Sequence, residues 1–280
     1  MNTLYVSDMD GTLYRGGQPS LTPKGEELFR KLLTQGAALT LASGRNLYGI
    51  YEMARHCKVS LPVIAYNGAM IYDFTKGQAL KIFAIEKEST SQLIDAFEEL
   101  NLPYKACCYI KSEERCLEFS QNGYTTTINL EPQHHPFNGL IYDEHVVAKS
   151  KEEMLQGDCL FVGAHGRPEP MQELYNRIKD IEGVNPILHQ SPYDPDNWFV
   201  DVGSDQANKG TSAVYLKNLL GAKEVVAFGD NHNDLPMLRD ADRSYVVPEA
   251  SLEVQQAATA VLPQEEDCVL RFIQREIQNR

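Results

Sequence analysis

The sequence predicts an α/β protein, a parallel-sheet core interrupted by an α+β insertion, and three observations predict it. Apolar runs and helical patterns alternate through the first third of the chain, the same alternation returns in the last third, and the middle follows different rules. Strands separated by helices imply parallel pairing through right-handed crossovers. The two flanks therefore read as one domain, residues 1–80 plus 204–280, and residues 81–203 as an inserted smaller domain.

Thr3 to Asp8 is an apolar strand. Thr22-Pro23 supplies an N-cap with proline at the first helical position, followed by Leu28, Leu32 and Leu33 on one face and Gly36 as the stop. Ala37 to Ala42 is a second strand, Asn46 caps a helix running to Cys57, and Leu61 to Tyr66 is a third strand ending at Asn67-Gly68. In the middle, Thr90 to Leu100 and Glu169 to Ile181 read as helices. Tyr104 to Ile110, Arg115 to Ser120 and Asp158 to Ala164 read as strands, and Ile187 to Val202 as a hairpin turning at Tyr193-Asp194-Pro195-Asp196-Asn197. The last third holds a helix from Lys209 to Leu220 stopped by Gly221, a strand from Glu224 to Phe228, a short helix from Asp234 to Arg239, a strand from Tyr245 to Val247, and an amphipathic helix from Asp267 to Gln278.

At 280 residues the chain is long enough for two compact units. Its net charge of −13 argues against non-specific binding to nucleic acid or an anionic membrane, where Lys and Arg must neutralise phosphates. No apolar run approaches the ~20 residues of a membrane span, and the N-terminus lacks a signal-peptide pattern, so a cytoplasmic location is expected. The six cysteines form no CxxC pair or disulfide framework, which agrees with a reducing compartment. His134-His135 with Cys107, Cys108 and Cys116 does not match zinc spacing and reads as a loop and buried thiols. A monomer or a weak homodimer is expected.

The candidate chemistry begins at Asp8-Met9-Asp10-Gly11-Thr12. Side chains two apart on an extended chain point the same way, and two adjacent carboxylates need a cation or a shared proton. Further polar groups follow the other core strands: Ser43-Gly44-Arg45, Asn67, and Gly229-Asp230-Asn231-His232-Asn233-Asp234. In open parallel sheets ligands bind outside the carboxyl ends of the strands, so these groups should converge. Together they suit phosphoryl transfer, which needs a nucleophile, cations and hydrogen-bond donors. Asp8 is the nucleophile; Asp230 and Asp234 add hard oxygen atoms that favour Mg²⁺; Ser43 and its helix start hold phosphate; Lys209, between Asn208 and Gly210, neutralises Asp8 and the phosphate.

Asp8-Met9-Asp10-Gly11-Thr12, Ser43-Gly44-Arg45, Asn208-Lys209-Gly210 and Gly229-Asp230-Asn231-His232-Asn233-Asp234 resemble the four ordered motifs of the haloacid dehalogenase-like superfamily, and most of all its Cof-type phosphatases. The resemblance covers both flanks. It implies a Rossmann-like core with a large inserted cap that closes over it and selects the substrate. It further implies that Asp8 becomes an aspartyl phosphate and that Asp10 protonates the leaving oxygen and later activates water. Asp8, the backbone carbonyl of Asp10 and Asp230 would hold Mg²⁺. Ser43, Gly44, Arg45, Asn67, Lys209 and Asn233 would surround the phosphate, and Asp234 would orient Lys209 or a metal-bound water.

Some positions carry a second reading. Arg45 either reaches substrate or pairs with an acidic neighbour, Asn67 is either a site residue or a turn residue, and His232 reads as facing solvent. Tyr193, Asp194 and Trp198 either line a substrate pocket or include an aromatic packed at a domain seam. The chain departs from the family pattern at Ser43, where many relatives carry Thr, in the approach Gly203-Ser204-Asp205-Gln206-Ala207, and in the glycine-free Gln264-Glu265-Glu266-Asp267-Cys268. The function expected is Mg²⁺-dependent hydrolysis of a small phosphorylated metabolite, a sugar phosphate or a phosphorylated cofactor. A sugar phosphomutase and a catalytically idle ligand-binding or regulatory protein are the alternatives.

Overall fold

The computed structural model describes residues 2–15, 20–113, 115–121, 143–147, 150–191 and 194–279; His134, His135 and Tyr193 lie outside them. The chain forms two compact units, Met1–Lys81 with Asn208–Arg280, and Ile82–Ala207.

The first unit contains β1 (Thr3–Ser7), α1 (Pro23–Thr34), β2 (Ala38–Leu41), α2 (Leu47–Cys57), β3 (Val63–Ala65), β4 (Met70–Asp73) and β5 (Gln78–Ile82), whose last residue enters the second unit. The second unit continues with α3 (Lys87–Glu99), β6 (Tyr104–Ile110), β7 (Arg115–Gln121), β8 (Asp143–Val147), α4 (Lys151–Met154), β9 (Asp158–Gly166), α5 (Pro168–Ile178), β10 (Val184–Gln190) and β11 (Trp198–Ser204). The chain then re-enters the first unit through α6 (Lys209–Leu220), β12 (Glu224–Gly229), α7 (Leu235–Asp240), β13 (Arg243–Val246), α8 (Leu252–Ala257), β14 (Ala260–Val261) and α9 (Cys268–Gln278).

The core sheet runs β14-β13-β12-β1-β2, parallel throughout. All five residues of β1 are buried, because a strand covered by helices on both faces is apolar without alternation. Helix α1 starts where the Thr22 hydroxyl accepts from the Gly25 N–H at 3.1 Å, and α2 starts where the Asn46 side-chain Oδ1 accepts from the Gly49 N–H at 2.9 Å. Along α1 the inward residues are Phe29 and Leu32, with Leu28 and Leu33 half-buried: the bulkier aromatic takes the inward position. The third strand is shorter than its apolar run. Ile64 makes a parallel bridge to Ala42, but the partner of β3 along its length is β4, antiparallel, within a three-stranded sheet β3-β4-β5. Buried Met70 to Asp73 lack the alternation that marks a half-exposed strand, so β4 left no periodic signal.

The second unit is a six-stranded sheet ordered β10-β11-β9-β6-β7-β8, antiparallel except for the parallel pair β7 and β8. Leu93 and Phe97 of α3 and Leu174 and Ile178 of α5 pack on Val162, Val200 and Val202, and Trp198 lies half-buried against the same cluster. Trp198 therefore packs against the core of this unit from its edge. All six cysteines of the chain are free and buried.

Candidate active site

Strand register builds the site. Ser7 of β1 stands opposite Phe228 of β12, and the Asp8 N–H donates to the Phe228 carbonyl at 3.0 Å. The residues that follow both strands are thereby brought to one sheet end, so Asp8 and Asp230 become neighbours across 222 positions of sequence (230 minus 8). Ligand oxygens of Asp8, Asp230 and Asp234 all lie within 4.8 Å of one another.

Lys209 is fully buried at the first turn of α6, where Asn208 caps the helix by accepting from Thr211 at 2.8 Å. Its ammonium donates to Asp8 Oδ1 at 2.6 Å and to Asp234 Oδ1 at 2.7 Å. The other oxygen of Asp234 accepts the backbone N–H groups of Asp230 at 3.0 Å and Asn231 at 3.1 Å. With both oxygens engaged, Asp234 orients Lys209 and the Asp230 loop; it is a poor candidate for a metal ligand despite its proximity. Thr12 donates to Asp230 Oδ1 at 2.6 Å, and the second Asp230 oxygen faces Gly11, where a built Cβ would meet it at 2.2 Å.

The charges do not balance. Three carboxylates surround one ammonium, and Asp230 lies within hydrogen-bonding reach of Asp8. Burial pushes the Asp8 carboxyl up to about 8, with Asp234 and Asp230 adding to the rise and Lys209 opposing it. Burial likewise raises Asp230, against the Thr12 hydrogen bond. Buried carboxylates in contact need either a proton or a cation between them, and hard oxygen atoms without imidazole suit Mg²⁺. The donor set therefore fits a divalent ion held by Asp8 and Asp230.

The other predicted residues fall into two further groups. Ser43 is buried after β2, its N–H bonded to the Ile64 carbonyl at 2.9 Å. A Cβ at Gly44 would lie 2.9 Å from Asn67 Oδ1, and Asn233 Nδ2 donates to that same oxygen at 3.0 Å. Asn67 is held by its N–H to Ser43 O at 3.0 Å, with a left-handed backbone at φ +53°. Asp10 and Arg45 meet elsewhere: Arg45 Nε donates to Asp10 Oδ2 at 2.7 Å and Nη2 to Oδ1 at 2.5 Å. The Asp10 side chain is thus turned to Arg45 and is not part of the Asp8, Asp230 and Asp234 group. His232 is exposed and hydrogen-bonds Glu253 at 2.9 Å.

Sequence reasoning gave no role to Thr12 or Tyr14. Thr12 stood inside the first motif, and its hydroxyl beside an acidic cluster was the available signal. Tyr14, which presents its ring 5.4 Å from the Arg45 guanidinium, left none. No helix among the described residues is long and apolar enough to cross a membrane.

A family model described as haloacid dehalogenase-like hydrolase matches residues 5–273. The pyridoxal phosphate phosphatase YbhA of Escherichia coli is 22% identical over 273 residues, which cover 95% of each chain. Among solved structures, a haloacid dehalogenase-like hydrolase from Bacteroides thetaiotaomicron superposes with a TM-score of 0.76 at 20% identity, covering 99% of this chain and 100% of its own. The subclass IIB sugar phosphatase BT4131 superposes with a TM-score of 0.70 at 19% identity, over 99% of both chains. These two likenesses are of fold.

Proposed function

The chain belongs to the haloacid dehalogenase-like hydrolase family, and from that premise we propose that it is a Mg²⁺-dependent phosphatase acting on a small phosphorylated metabolite through an aspartyl-phosphate intermediate. The observation that carries this reading is the buried Lys209 clamped between Asp8 and Asp234 beside Asp230. A lysine placed so, with a surplus of carboxylate, suits a carboxylate nucleophile whose product is an acyl phosphate.

In this reading an Asp8 oxygen attacks phosphorus in line, and the bond to the leaving oxygen breaks as Asp10 gives that oxygen a proton. Asp10 then takes a proton from water, whose oxygen attacks the aspartyl phosphate; inorganic phosphate departs and the Asp8 carboxylate returns. Lys209 and Ser43 bind the non-bridging oxygens, with Gly44, Asn67 and Asn233 shaping that wall. Asp234 holds Lys209 in line. When bound at Asp8, the Asp10 carbonyl and Asp230, Mg²⁺ would neutralise charge on the phosphoryl oxygens and keep Asp8 ionised.

The substrate class follows from relatives by analogy: one is named for pyridoxal phosphate and one for sugar phosphates, so a phosphorylated cofactor or sugar is the proposed range. Residues 82–207 would supply the selectivity, the enzyme would work in the cytoplasm, and neither nucleic acid nor membrane is a proposed partner. A Mg²⁺-dependent phosphate-release screen over phosphorylated metabolites, with Asp8→Asn as control, tests the proposal. Release that is indifferent to metal, or equal in the variant, refutes it.

A further inference from the structure

We infer that Arg45 is a positioning residue for Asp10: its guanidinium fixes the direction of the Asp10 carboxylate instead of gripping the phosphoryl group. The inference rests on the phosphatase reading above, in which Asp10 handles the proton. Arg45 donates from two nitrogens to two oxygens, Nε to Oδ2 and Nη2 to Oδ1. Such a fork sets both the plane and the rotation of a carboxylate, which a single point charge does not.

The fork is itself held. Nη1 donates to the Gly49 carbonyl at 3.3 Å, the Tyr14 ring lies against the guanidinium, and the same turn ties Tyr14 to Asp10 through an isolated bridge. The Arg45 backbone is fixed at both ends, its N–H on Ser43 Oγ at 3.1 Å and its carbonyl accepting from Tyr66 at 3.0 Å. Each of the three guanidinium nitrogens therefore has a partner from its own chain. Both partners stay open to solvent, with side-chain exposures of 34% for Arg45 and 53% for Asp10. The pair therefore lies at the surface of the site and not in the core, where its fork fixes the direction of a carboxylate that solvent and substrate can reach.

Leaving-group dependence separates this role from phosphate binding. An alkyl phosphate leaves as an alkoxide that needs a proton, whereas 4-nitrophenolate leaves without one. For Arg45→Met the expected loss of kcat/KM, which reads the transfer to Asp8 and not the shared hydrolysis of the aspartyl phosphate, is greater on an alkyl phosphate than on 4-nitrophenyl phosphate by about tenfold or more, up to the roughly 10²–10⁴-fold assigned to a positioned acid. Arg45→Lys, which keeps the cation and an apolar stem, should leave that excess in place. In an Asp10→Asn background, Arg45→Met should cost nothing further. Equal losses on both esters, additive losses in the double variant, or inhibition by inorganic phosphate weakened about tenfold alongside kcat/KM would overturn the assignment. A native protein that releases phosphate from neither 4-nitrophenyl phosphate nor any phosphorylated metabolite of the screen would instead refute the phosphatase reading, a result visible without any Arg45 variant.

Discussion

Lys209 Nζ stands 2.6 Å from Asp8 Oδ1, with both side chains buried, just past the end of β1. The pair brings a residue from each flank of the chain into one contact, and the proposed nucleophile is one half of it.

Asp8→Asn keeps the shape and removes the nucleophilic oxygen. The expected outcome is a fall in Mg²⁺-dependent phosphate release of roughly 10⁴-fold or more, with circular dichroism unchanged. Substantial residual turnover in that variant would remove Asp8 from the mechanism.

Lys209→Met removes the one ammonium and leaves Asp8 and Asp234 buried without it. Breaking a buried pair from one side costs roughly 3–5 kcal/mol, so the thermal midpoint should drop by several degrees along with activity. Mg²⁺ should recover part of the stability, since it supplies positive charge to Asp8. A midpoint equal to that of the native protein would show that Lys209 is not needed to balance these carboxylates.

The metal-free protein should become less stable as pH rises. The Asp8 carboxyl, ordinarily at 3.8, is pushed by burial up to about 8, so between those values the folded chain holds a proton the unfolded chain has lost. That difference makes stability greatest at the acid end of the window and progressively lower toward pH 8. Burial lowers Lys209, but Asp234 and Asp8 raise it more, so it stays charged throughout this range and adds no slope. Bound Mg²⁺ replaces the proton, and at about a hundred times its Kd it adds roughly 2.7 kcal/mol. Thermal midpoints at pH 5 and pH 8, with EDTA and with Mg²⁺, check both effects; a metal-free midpoint that rises with pH contradicts the charge balance drawn for the site.

The proximity of Asp8 and Asp230 was legible in the sequence because each follows an apolar run, and parallel strands deliver their carboxyl ends to one edge. Capping was legible too, since Thr22, Asn46 and Asn208 each precede a helical pattern. The partner chosen by Arg45 was not, because a long side chain reaches several acidic groups and only the fold decides among them. The antiparallel turn from β3 to β4 was missed for a related reason: three residues of β3 carry too little periodicity to state a partner. In the second unit the strands were legible singly, but the parallel placement of β8 beside β7 joins distant segments without a periodic signal.

Gly11→Ala is the sharpest test of the carboxylate arrangement, because it replaces no charged group. Gly11 sits at φ +89°, a conformation that L side chains rarely adopt, and its added Cβ would lie 2.2 Å from Asp230 Oδ2. Asp230 is tied by Thr12 on its other oxygen and by its N–H to Asp234, so it yields only by giving up one of those bonds. Strain and a displaced ligand together predict a loss of about 1–3 kcal/mol in stability and a weaker grip on Mg²⁺ by tenfold or more. Titration of the thermal midpoint with Mg²⁺ measures both in one experiment. If the alanine variant responds to Mg²⁺ at the same concentrations as the native protein, the Asp230 carboxylate is not where the ion is held.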